Sequence, residues 1–384
     1  MSASHRDIGG SPALSSKGTD ATATREDFVS GEAFTGVRPV APAHRFDQAA
    51  LEGWLVANVP GFRGPLNVQQ FRGGQSNPTY RLDTPHGRYV LRAKPGPASK
   101  LLPSAHAIER EFRVMAALAE TEVPVPRMLA LCEDESVIGR AFYVMSYVEG
   151  RVLWDPRLPE MDPSSRAAHY DELNRVLSAL HRLDWQGLGL ADFGRHEGYL
   201  ARQIARWSKQ YRASETEPIE AMDRLIDWLP AHLPPGGEET ALVHGDYRLD
   251  NVIFHPTEPR IVAVLDWELS TLGHPLADFA YHAMIWRLPP GPGRGLVGTD
   301  WRSAGIPELQ AYVARYCERT GRSGIEHFDF YLAYNLFRMA AILQGIMKRV
   351  VEGTAASDHA IEMGRAARPM AELGWEIAQR IDCS

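Results

Sequence analysis

The sequence predicts an α+β protein of two lobes, with a small antiparallel sheet that carries one helix, followed by a larger, mainly helical C-terminal lobe. Between about residues 66 and 149, polar and apolar residues alternate in short runs, which is typical of half-buried strands. From Asp162 onward, apolar residues recur in longer segments at the spacing of amphipathic helices. We therefore divide the chain into a disordered tail over residues 1–39, an N-lobe over 40–149 and a C-lobe over 150–384.

The composition predicts a soluble, cytoplasmic protein. The 384 residues suffice for a large core, and 44% hydrophobic and 23% charged residues are ordinary for a globular chain. A formal net charge of −7 argues against a nucleic-acid partner, because nonspecific phosphate binding needs an excess of Lys and Arg. No apolar run reaches the roughly 18 residues of a membrane span, so no membrane partner is expected. The three cysteines, Cys132, Cys317 and Cys383, form no CxxC pair, which fits a reducing compartment without disulfides or zinc.

The N-terminal segment is predicted to be disordered. It is rich in Ser, Thr, Gly, Ala and Asp up to about Pro39, and it lacks the apolar core of a secretory signal. After it, Asp47 can cap a short helix, "DQAALEGWLVANV", with apolar residues at helical spacing.

The N-lobe pattern predicts strands around a single helix. "LNVQQFRGGQSNPTYRLDT" alternates on both sides of Gly73-Gly74 and predicts two strands joined by a glycine-containing loop. "GRYVLRAKP" predicts a third strand, which Pro95 ends. "AIEREFRVMAALAET" predicts a helix, and "RMLALCED" and "AFYVMSYVEG" predict two further strands.

The C-lobe pattern predicts helices that surround a small β insert. The predicted helices are "SSRAAHYDELNRVLSALHRL", "HEGYLARQIARWSKQYRAS", "PIEAMDRLIDWLPAHL", "ELQAYVARYCERT" and "HFDFYLAYNLFRMAAILQGIMKRVVEG". Between the third and fourth of them lie the short apolar runs "ALV", "VIF" and "RIVAV", which predict strands.

The polar loop "HGDYRLDN" (244–251), between two of these apolar runs, carries the candidate chemistry. Asp246 and Asn251 lie five positions apart, and Asp266 follows at the end of the next apolar strand. A hard cation such as Mg²⁺ takes oxygen ligands, which Asn251 and Asp266 can supply, while Asp246 stays available for a hydroxyl proton. These are the components of phosphoryl transfer, in which positioning and charge neutralisation supply most of the catalysis.

The spacing His-x-Asp-(four residues)-Asn resembles the catalytic loop of kinases, and "HGD" resembles the aminoglycoside phosphotransferase and choline kinase family. "VLDWELSTLGHPLADFA", "FRGGQSNPTYRL", "IEREFRVMAAL" and "FYLAYNLFRMAAILQGIMKR" resemble the phosphotransferase-type domain that is fused to some acyl-CoA dehydrogenases, and its free-standing bacterial relatives. The resemblance covers roughly residues 40–370, in order, and implies a protein-kinase-like two-lobed fold that uses ATP and Mg²⁺.

The same resemblance implies a role for each matched residue. Asp246 would orient or deprotonate the acceptor hydroxyl, and Asn251 and Asp266 would hold Mg²⁺. The residues expected to bind ATP are Gly73, Gly74, Gln75 and Ser76 over the phosphates, Arg92 and Glu111 as the ion pair beside them, and Met145, Tyr147 and Val148 at the adenine hinge.

The sequence departs from the kinase pattern in the N-lobe and after Asp266. Arg92 stands where kinases carry Lys, and Lys94 lies on the same face of the strand, so either residue could contact the phosphates. Asp266 is followed by Trp267-Glu268 rather than Phe-Gly, and no "APE" element follows. These departures argue against protein-kinase activity.

Simpler structural explanations exist for each motif. The loop 244–251 could be a strand-joining turn, Gly73-Gly74 an ordinary hairpin turn, and Glu111 part of a solvated helix face. A metallophosphatase would need an Asp-x-His pair, and none occurs in the sequence.

The acceptor is predicted to be a small molecule, preferably a hydroxyacyl-CoA or a related acid. The stripe of Arg202, Arg206, Lys209 and Arg212 is either a solvated face or a surface that attracts an anionic acceptor. Polycationic aminoglycosides need the opposite charge, so an aminoglycoside or amino-alcohol kinase is the alternative, and a nucleotide-binding pseudokinase or scaffold is an alternative of another class. The oligomeric state does not follow from the sequence.

Overall fold

The computed structural model describes residues 36–72, 77–95, 107–235, 239–290, 294–354 and 360–383. In this part of the chain an antiparallel sheet precedes a mainly helical region, as the sequence predicts. No helix among these residues is long and apolar enough to cross a membrane.

The N-terminal region is a six-stranded antiparallel sheet with strand order β1-β2-β3-β4-β6-β5. Alternation positions its side chains: in β3, Tyr80 and Leu82 are buried while their neighbours are partly exposed. The strands are β1 (Val37–Arg38), β2 (Asn67–Phe71), β3 (Thr79–Thr84), β4 (Gly87–Ala93), β5 (Met128–Cys132) and β6 (Phe142–Ser146).

Two helices accompany this sheet. The Asp47 side chain caps α1 (Gln48–Asn58), since its Oδ1 accepts hydrogen bonds of 2.9 and 3.0 Å from the Ala49 and Ala50 N–H groups. The second helix, α2 (Ile108–Leu118), packs against β5 and β6 through its apolar side. It also buries Glu111 on that side.

The first strand corrects the predicted extent of the tail. Composition places residues 37 and 38 in a disordered segment, but Val37 pairs with Phe71 and Arg38 with Gln70. A two-residue edge strand is too short to leave a periodic pattern, so composition alone could not reveal it. Residues 1–35 lie outside the described part of the chain.

The C-terminal region holds most of the larger apolar core, which also includes Val90 of β4 and Tyr143 of β6. Its helices are α3 (Pro163–His181), α4 (Tyr199–Ser214), α5 (Glu220–Ala231), α6 (Pro275–Ala283), α7 (Trp301–Ala304), α8 (Leu309–Thr320), α9 (Phe328–Val351), α10 (Ala360–Arg365) and α11 (Ala367–Asp382). The central helix is α9, which packs against α4, α6, α10 and α11.

Two short antiparallel strand pairs carry the polar loop that the sequence singled out. Strand β7 (Ala241–Val243) pairs with β10 (Thr271–Gly273), and β8 (Val252–Phe254) pairs with β9 (Ile261–Val264). The loop 244–251 connects β7 to β8, and Asp266 lies just after β9. This arrangement brings the two motifs together at one end of the strand pairs.

Candidate active site

The loop 244–251 is anchored at its start by a carboxylate from α6. Asp278 Oδ2 accepts a hydrogen bond from the His244 N–H and Oδ1 accepts one from the Gly245 N–H, both at 2.8 Å. Burial alone would raise the pKa of Asp278, but its hydrogen bond with His181 and the nearby His244 hold that pKa below the usual value. Asp278 is therefore an ionised anchor of the loop, which agrees with a scaffolding role.

Glycine is required at the next position. Gly245 adopts φ +82°, and a Cβ there would lie 2.8 Å from the Leu269 carbonyl oxygen. The preceding His244 is fully buried, with Nε2 2.9 Å from the Leu265 carbonyl oxygen and Nδ1 accepting from the Asp246 N–H at 3.2 Å. These two contacts assign the hydrogen to Nε2 and fix the backbone of Asp246.

Three side chains surround the Asp246 carboxylate. Its Oδ2 accepts a hydrogen bond of 2.9 Å from Asn251 Nδ2, and its Oδ1 accepts one from the Tyr281 hydroxyl. The Nε of Arg248 lies 3.1 Å from Oδ1, and the Asp246 side chain retains 20% exposure. The carboxylate is thus held in one orientation while part of it stays accessible.

Asn251 and Asp266 lie on neighbouring segments, and each carries a side-chain oxygen. Nδ2 of Asn251 donates to both the backbone oxygen and Oδ2 of Asp246, so its amide oxygen is not needed to hold the loop. Asp266 adopts φ +63° and keeps a side-chain exposure of 33%. Its neighbour Leu265 donates a 2.8 Å hydrogen bond to the Asn251 carbonyl, which ties the two segments together.

This donor set fits Mg²⁺, because both groups offer oxygen and a hard cation needs oxygen ligands. The described residues contain no group of three or more His, Cys, Asp or Glu side chains that could hold a metal on their own. A metal at Asn251 and Asp266 would therefore depend on further oxygens from a nucleotide.

Arg92, rather than Lys94, lies among the acidic residues at this site. Its Nε is 2.9 Å from Glu111 Oε2, and its Nη2 is 2.8 Å from Asp266 Oδ1. Lys94 forms an ion pair with Glu109 instead. Arg92 thus connects strand β4, helix α2 and the segment after β9.

Glu111 is almost completely buried, not on a solvated face. It is 1% exposed and accepts hydrogen bonds from Asn77 Nδ2 at 2.9 Å and from the Tyr143 hydroxyl at 3.0 Å. Burial raises the pKa of Glu111, and the charge of Arg92 offsets part of that rise.

Of the residues predicted to bind ATP, those of the hinge lie within the described part of the chain and those of the glycine-containing loop do not. Residues Gly73, Gly74, Gln75 and Ser76 lie outside the described part of the chain. Met145 is buried on β6 opposite Val90, and Tyr147 follows that strand with the Arg88 guanidinium 4.7 Å from its ring centroid. Val148 is partly exposed.

Sequence reasoning missed three residues of this site. Tyr281 on α6 and Arg338 on α9 contact the loop from distant parts of the chain, and Arg338 Nη2 donates a 2.7 Å hydrogen bond to the Gly245 carbonyl. Arg248 lies inside the motif, two positions after Asp246, so a signal for it was present. The two carboxylates of Asp246 and Asp250 raise the pKa of Arg248 although burial opposes them.

Comparison with known proteins decides the family. Residues 67–328 match the phosphotransferase enzyme family. The chain belongs to this family. Acyl-CoA dehydrogenase family member 10 of Mus musculus is 48% identical over 346 residues, which cover 89% of this chain but only 32% of the mouse protein. The chain therefore spans about a third of the length of that curated relative.

Solved structures agree with this assignment. A candidate aminoglycoside phosphotransferase from Ralstonia eutropha is 58% identical, with a TM-score of 0.81 over 88% of this chain and 99% of that one. An aminoglycoside phosphotransferase in complex with ADP and hygromycin B is 15% identical, with a TM-score of 0.57 over 85% of this chain and 98% of that one. The second likeness establishes the fold alone, and the predicted kinase-like, two-lobed α+β fold is confirmed.

Proposed function

We propose that the protein is an ATP- and Mg²⁺-dependent kinase that phosphorylates a hydroxyl group of a small molecule, with Asp246 as its catalytic residue. The observation that carries the proposal is the convergence of Asp246, Asn251 and Asp266 at one end of two strand pairs. Two fixed oxygen donors beside an oriented, accessible carboxylate suit phosphoryl transfer.

In this mechanism the acceptor hydroxyl lies against the Asp246 carboxylate. The hydroxyl oxygen forms a bond to the γ-phosphorus of ATP, the bond from that phosphorus to the β,γ-bridging oxygen breaks, and the hydroxyl proton passes to Asp246. Hydrogen bonds from Asn251 and Tyr281 orient the carboxylate, and the Arg248 Nε lies 3.1 Å from its Oδ1.

The other charged residues position the nucleotide. Mg²⁺ held by Asn251 and Asp266 would neutralise charge on the β- and γ-phosphates. Arg92, fixed by Glu111, presents a guanidinium that suits phosphate oxygens. Binding of ATP there would require Arg92 to exchange part of its contact with Asp266 for contacts with the phosphates.

For the acceptor we propose a hydroxyacyl-CoA or a related hydroxy acid. The surroundings of Asp246 support an anion, since the buried Arg338 guanidinium contacts the loop through a neutral carbonyl. An aminoglycoside or amino-alcohol kinase is the second candidate, because a solved structure of this fold binds hygromycin B. A pseudokinase or scaffold is opposed by the retention of all three of Asp246, Asn251 and Asp266.

The test is direct detection of a phosphorylated product. Purified protein with MgATP is incubated with hydroxyacyl-CoAs, hydroxy acids, amino alcohols, aminoglycosides and sugars, and products are identified by phosphorus NMR and mass spectrometry. A new phosphate ester on one acceptor class supports the proposal and names the class. Tight MgATP binding with no product in any class would favour the pseudokinase alternative.

A further inference from the structure

A buried arginine without an ion-pair partner lies behind the catalytic loop. Arg338 is 7% exposed, and its hydrogen bond goes to the carbonyl of Gly245, a neutral group. Among the described residues, no carboxylate forms an ion pair with it, and its Nε has no hydrogen-bond partner. Burial of a charge is costly unless the charge is paired, so this guanidinium has capacity for an anion.

The aromatic residues around Arg338 keep it charged without neutralising it. The guanidinium carbon lies 5.0 Å from the Tyr281 ring centroid and 5.6 Å from the Trp207 ring centroid. Such contacts stabilise a cation but leave its N–H groups available. Although burial lowers the pKa of Arg338, nearby tyrosines and the Asp246 carboxylate, which forms no ion pair with it, raise that pKa above its usual value.

Two further buried polar groups, the Trp207 indole N–H and the Tyr334 hydroxyl, lie beside this cation. They approach each other, and neither has another hydrogen-bond partner among the described residues. Together with Arg338 Nε they place three donors in one part of the molecule, and none of them has an acceptor outside this group. Such a group suits a ligand that supplies acceptor oxygens.

Neighbours of these donors reach Asp246 on one side and the protein surface on the other. Tyr281, whose ring contacts Arg338, donates its hydroxyl to Asp246. On the outer side, the exposed Arg206 of α4 lies 5.2 Å from the Trp207 ring centroid and has no carboxylate partner among the described residues. By contrast, Arg212 on the same helix forms an ion pair with Asp223. The residues of the basic stripe therefore differ in how far their charge is neutralised.

We propose that Arg338, Trp207 and Tyr334 form a subsite that binds an oxyanion of the acceptor, either a carboxylate or a phosphate, while the acceptor hydroxyl lies against Asp246. The inference rests on the proposed kinase function and assigns its acceptor specificity to these residues. The guanidinium and the indole N–H donate to the oxyanion, and Arg206 attracts the anion at the surface.

Binding measurements with matched probes test the subsite. Calorimetry with saturating MgADP compares 3-hydroxybutyrate, 3-hydroxybutyryl-CoA, CoA and the neutral 1,3-butanediol. Arg338→Met is expected to weaken binding of an anionic probe about 30-fold or more, the loss typical of removing one partner of a buried charge pair. Arg338→Lys should lose less affinity for the anionic probe, and the affinity for the neutral diol should not change in either variant. An effect on 3-hydroxybutyrate identifies a carboxylate, whereas an effect confined to CoA and its thioester identifies a phosphate.

The controls separate this inference from a structural role. Lys348→Met, on the exposed side of the same helix, should bind every probe like the wild type. If Arg338→Met does not fold, Arg338→Lys and Tyr334→Phe are measured instead. Tyr334→Phe removes only a hydroxyl group and should still lower the affinity for an anionic probe several-fold.

Two outcomes would overturn the subsite. The first is that the wild type and the folded variants bind every anionic probe with equal affinity. The second is that the variants lose affinity equally for anionic and neutral probes, which would indicate only a disturbed loop. MgATP binding is measured on the same samples. If the wild type binds MgATP, the kinase proposal survives such a result; if it does not, both proposals fail.

Discussion

Arg92 is the residue at which the sequence departs most clearly from kinases, and its contacts explain why an arginine works there. A guanidinium has several donors in one plane, so Arg92 reaches Glu111 and Asp266 at 2.9 and 2.8 Å simultaneously. An ammonium in the same place would be a single point charge. The arginine therefore joins α2 to the segment that carries Asp266 even without a nucleotide.

The Arg92→Met substitution should destabilise the protein in a pH-dependent manner. It leaves Glu111 buried without its cation, which costs about 3–5 kcal/mol. Burial then raises the pKa of Glu111 further above its usual value. A group whose pKa is higher in the folded than in the unfolded protein contributes stability at pH values below its unfolded pKa. This contribution is lost as the pH rises through the folded pKa. Chemical denaturation should therefore show a larger difference between wild type and variant at pH 8 than at pH 5.

The matched control for this prediction is Lys94→Met, since Lys94 pairs with the partly exposed Glu109. Its cost should stay within about 1 kcal/mol, as is typical of exposed ion pairs. A difference for Arg92→Met that does not vary between pH 5 and pH 8 would contradict the account of Glu111.

Asp266 is expected to act through Mg²⁺. Asp266→Ala should weaken nucleotide binding in the presence of Mg²⁺ by about 10-fold or more, as expected when a metal ligand is lost, and should not weaken Mg²⁺-free ATP binding. The neighbouring Glu268→Gln serves as the control, because Glu268 also lies near Arg92, at 3.6 Å. Titration of nucleotide at several Mg²⁺ concentrations measures both. An unaltered Mg²⁺ dependence in Asp266→Ala would remove this residue from the metal site.

At the scale of elements, the loop 244–251 depends on helices that lie far away in the sequence. Asp278 on α6 holds its start, and Arg338 on α9 holds the Gly245 carbonyl. The loop is therefore positioned by the helical core and not by its flanking strands alone.

Gly245→Ala tests how tightly the loop is fixed. The alanine would have to adopt φ +82° and would clash with the Leu269 carbonyl, so we expect a destabilisation of about 1–3 kcal/mol and a loss of kcat. Gly298→Ala is the control, because Gly298 has nearly the same φ, +81°, but no atom within 4 Å of the added Cβ. Thermal unfolding and activity are compared for both variants. Equal effects would show that the close packing of the loop has no role.

The sequence predicted many of the elements in which one side faces water, although the amphipathic helix α11 was not among them. The alternation in β3 and the Asp47 cap of α1 are visible in the residues themselves. Helix α6 was not predicted, because all nine of its residues are buried and it has no polar face to create a period. The missed roles of Tyr281 and Arg338 have a similar cause, since their contacts with the loop arise only from tertiary packing.

The chemistry of the site was more predictable than its surroundings. The spacing of Asp246, Asn251 and Asp266 is set by a short loop and one strand pair, so local sequence suffices to recognise it. The choice between Arg92 and Lys94 needed the structure, because both lie on one face of β4 and only the packing of α2 separates them.

At the scale of the whole molecule, the N-terminal sheet and the helical core share apolar packing and also meet through polar contacts around the candidate nucleotide site. Arg92 reaches Asp266 across this boundary, and the Arg110 guanidinium donates to the Phe193 carbonyl at 2.7 Å while it lies 4.1 Å from that ring. We expect ATP to bind between the two regions, where the Arg92–Asp266 contact can open to admit its phosphates.

The most direct test of the central claim is acceptor-dependent ADP release by the wild type and by Asp246→Asn, with MgATP binding measured on both proteins. The account predicts that the variant binds MgATP like the wild type but loses turnover by about 10²–10⁴-fold, the usual contribution of a general base. The same variant should still unfold at a temperature close to that of the wild type. Turnover retained in Asp246→Asn, with an acceptor that the wild type phosphorylates, would contradict the assignment of Asp246 as the catalytic residue.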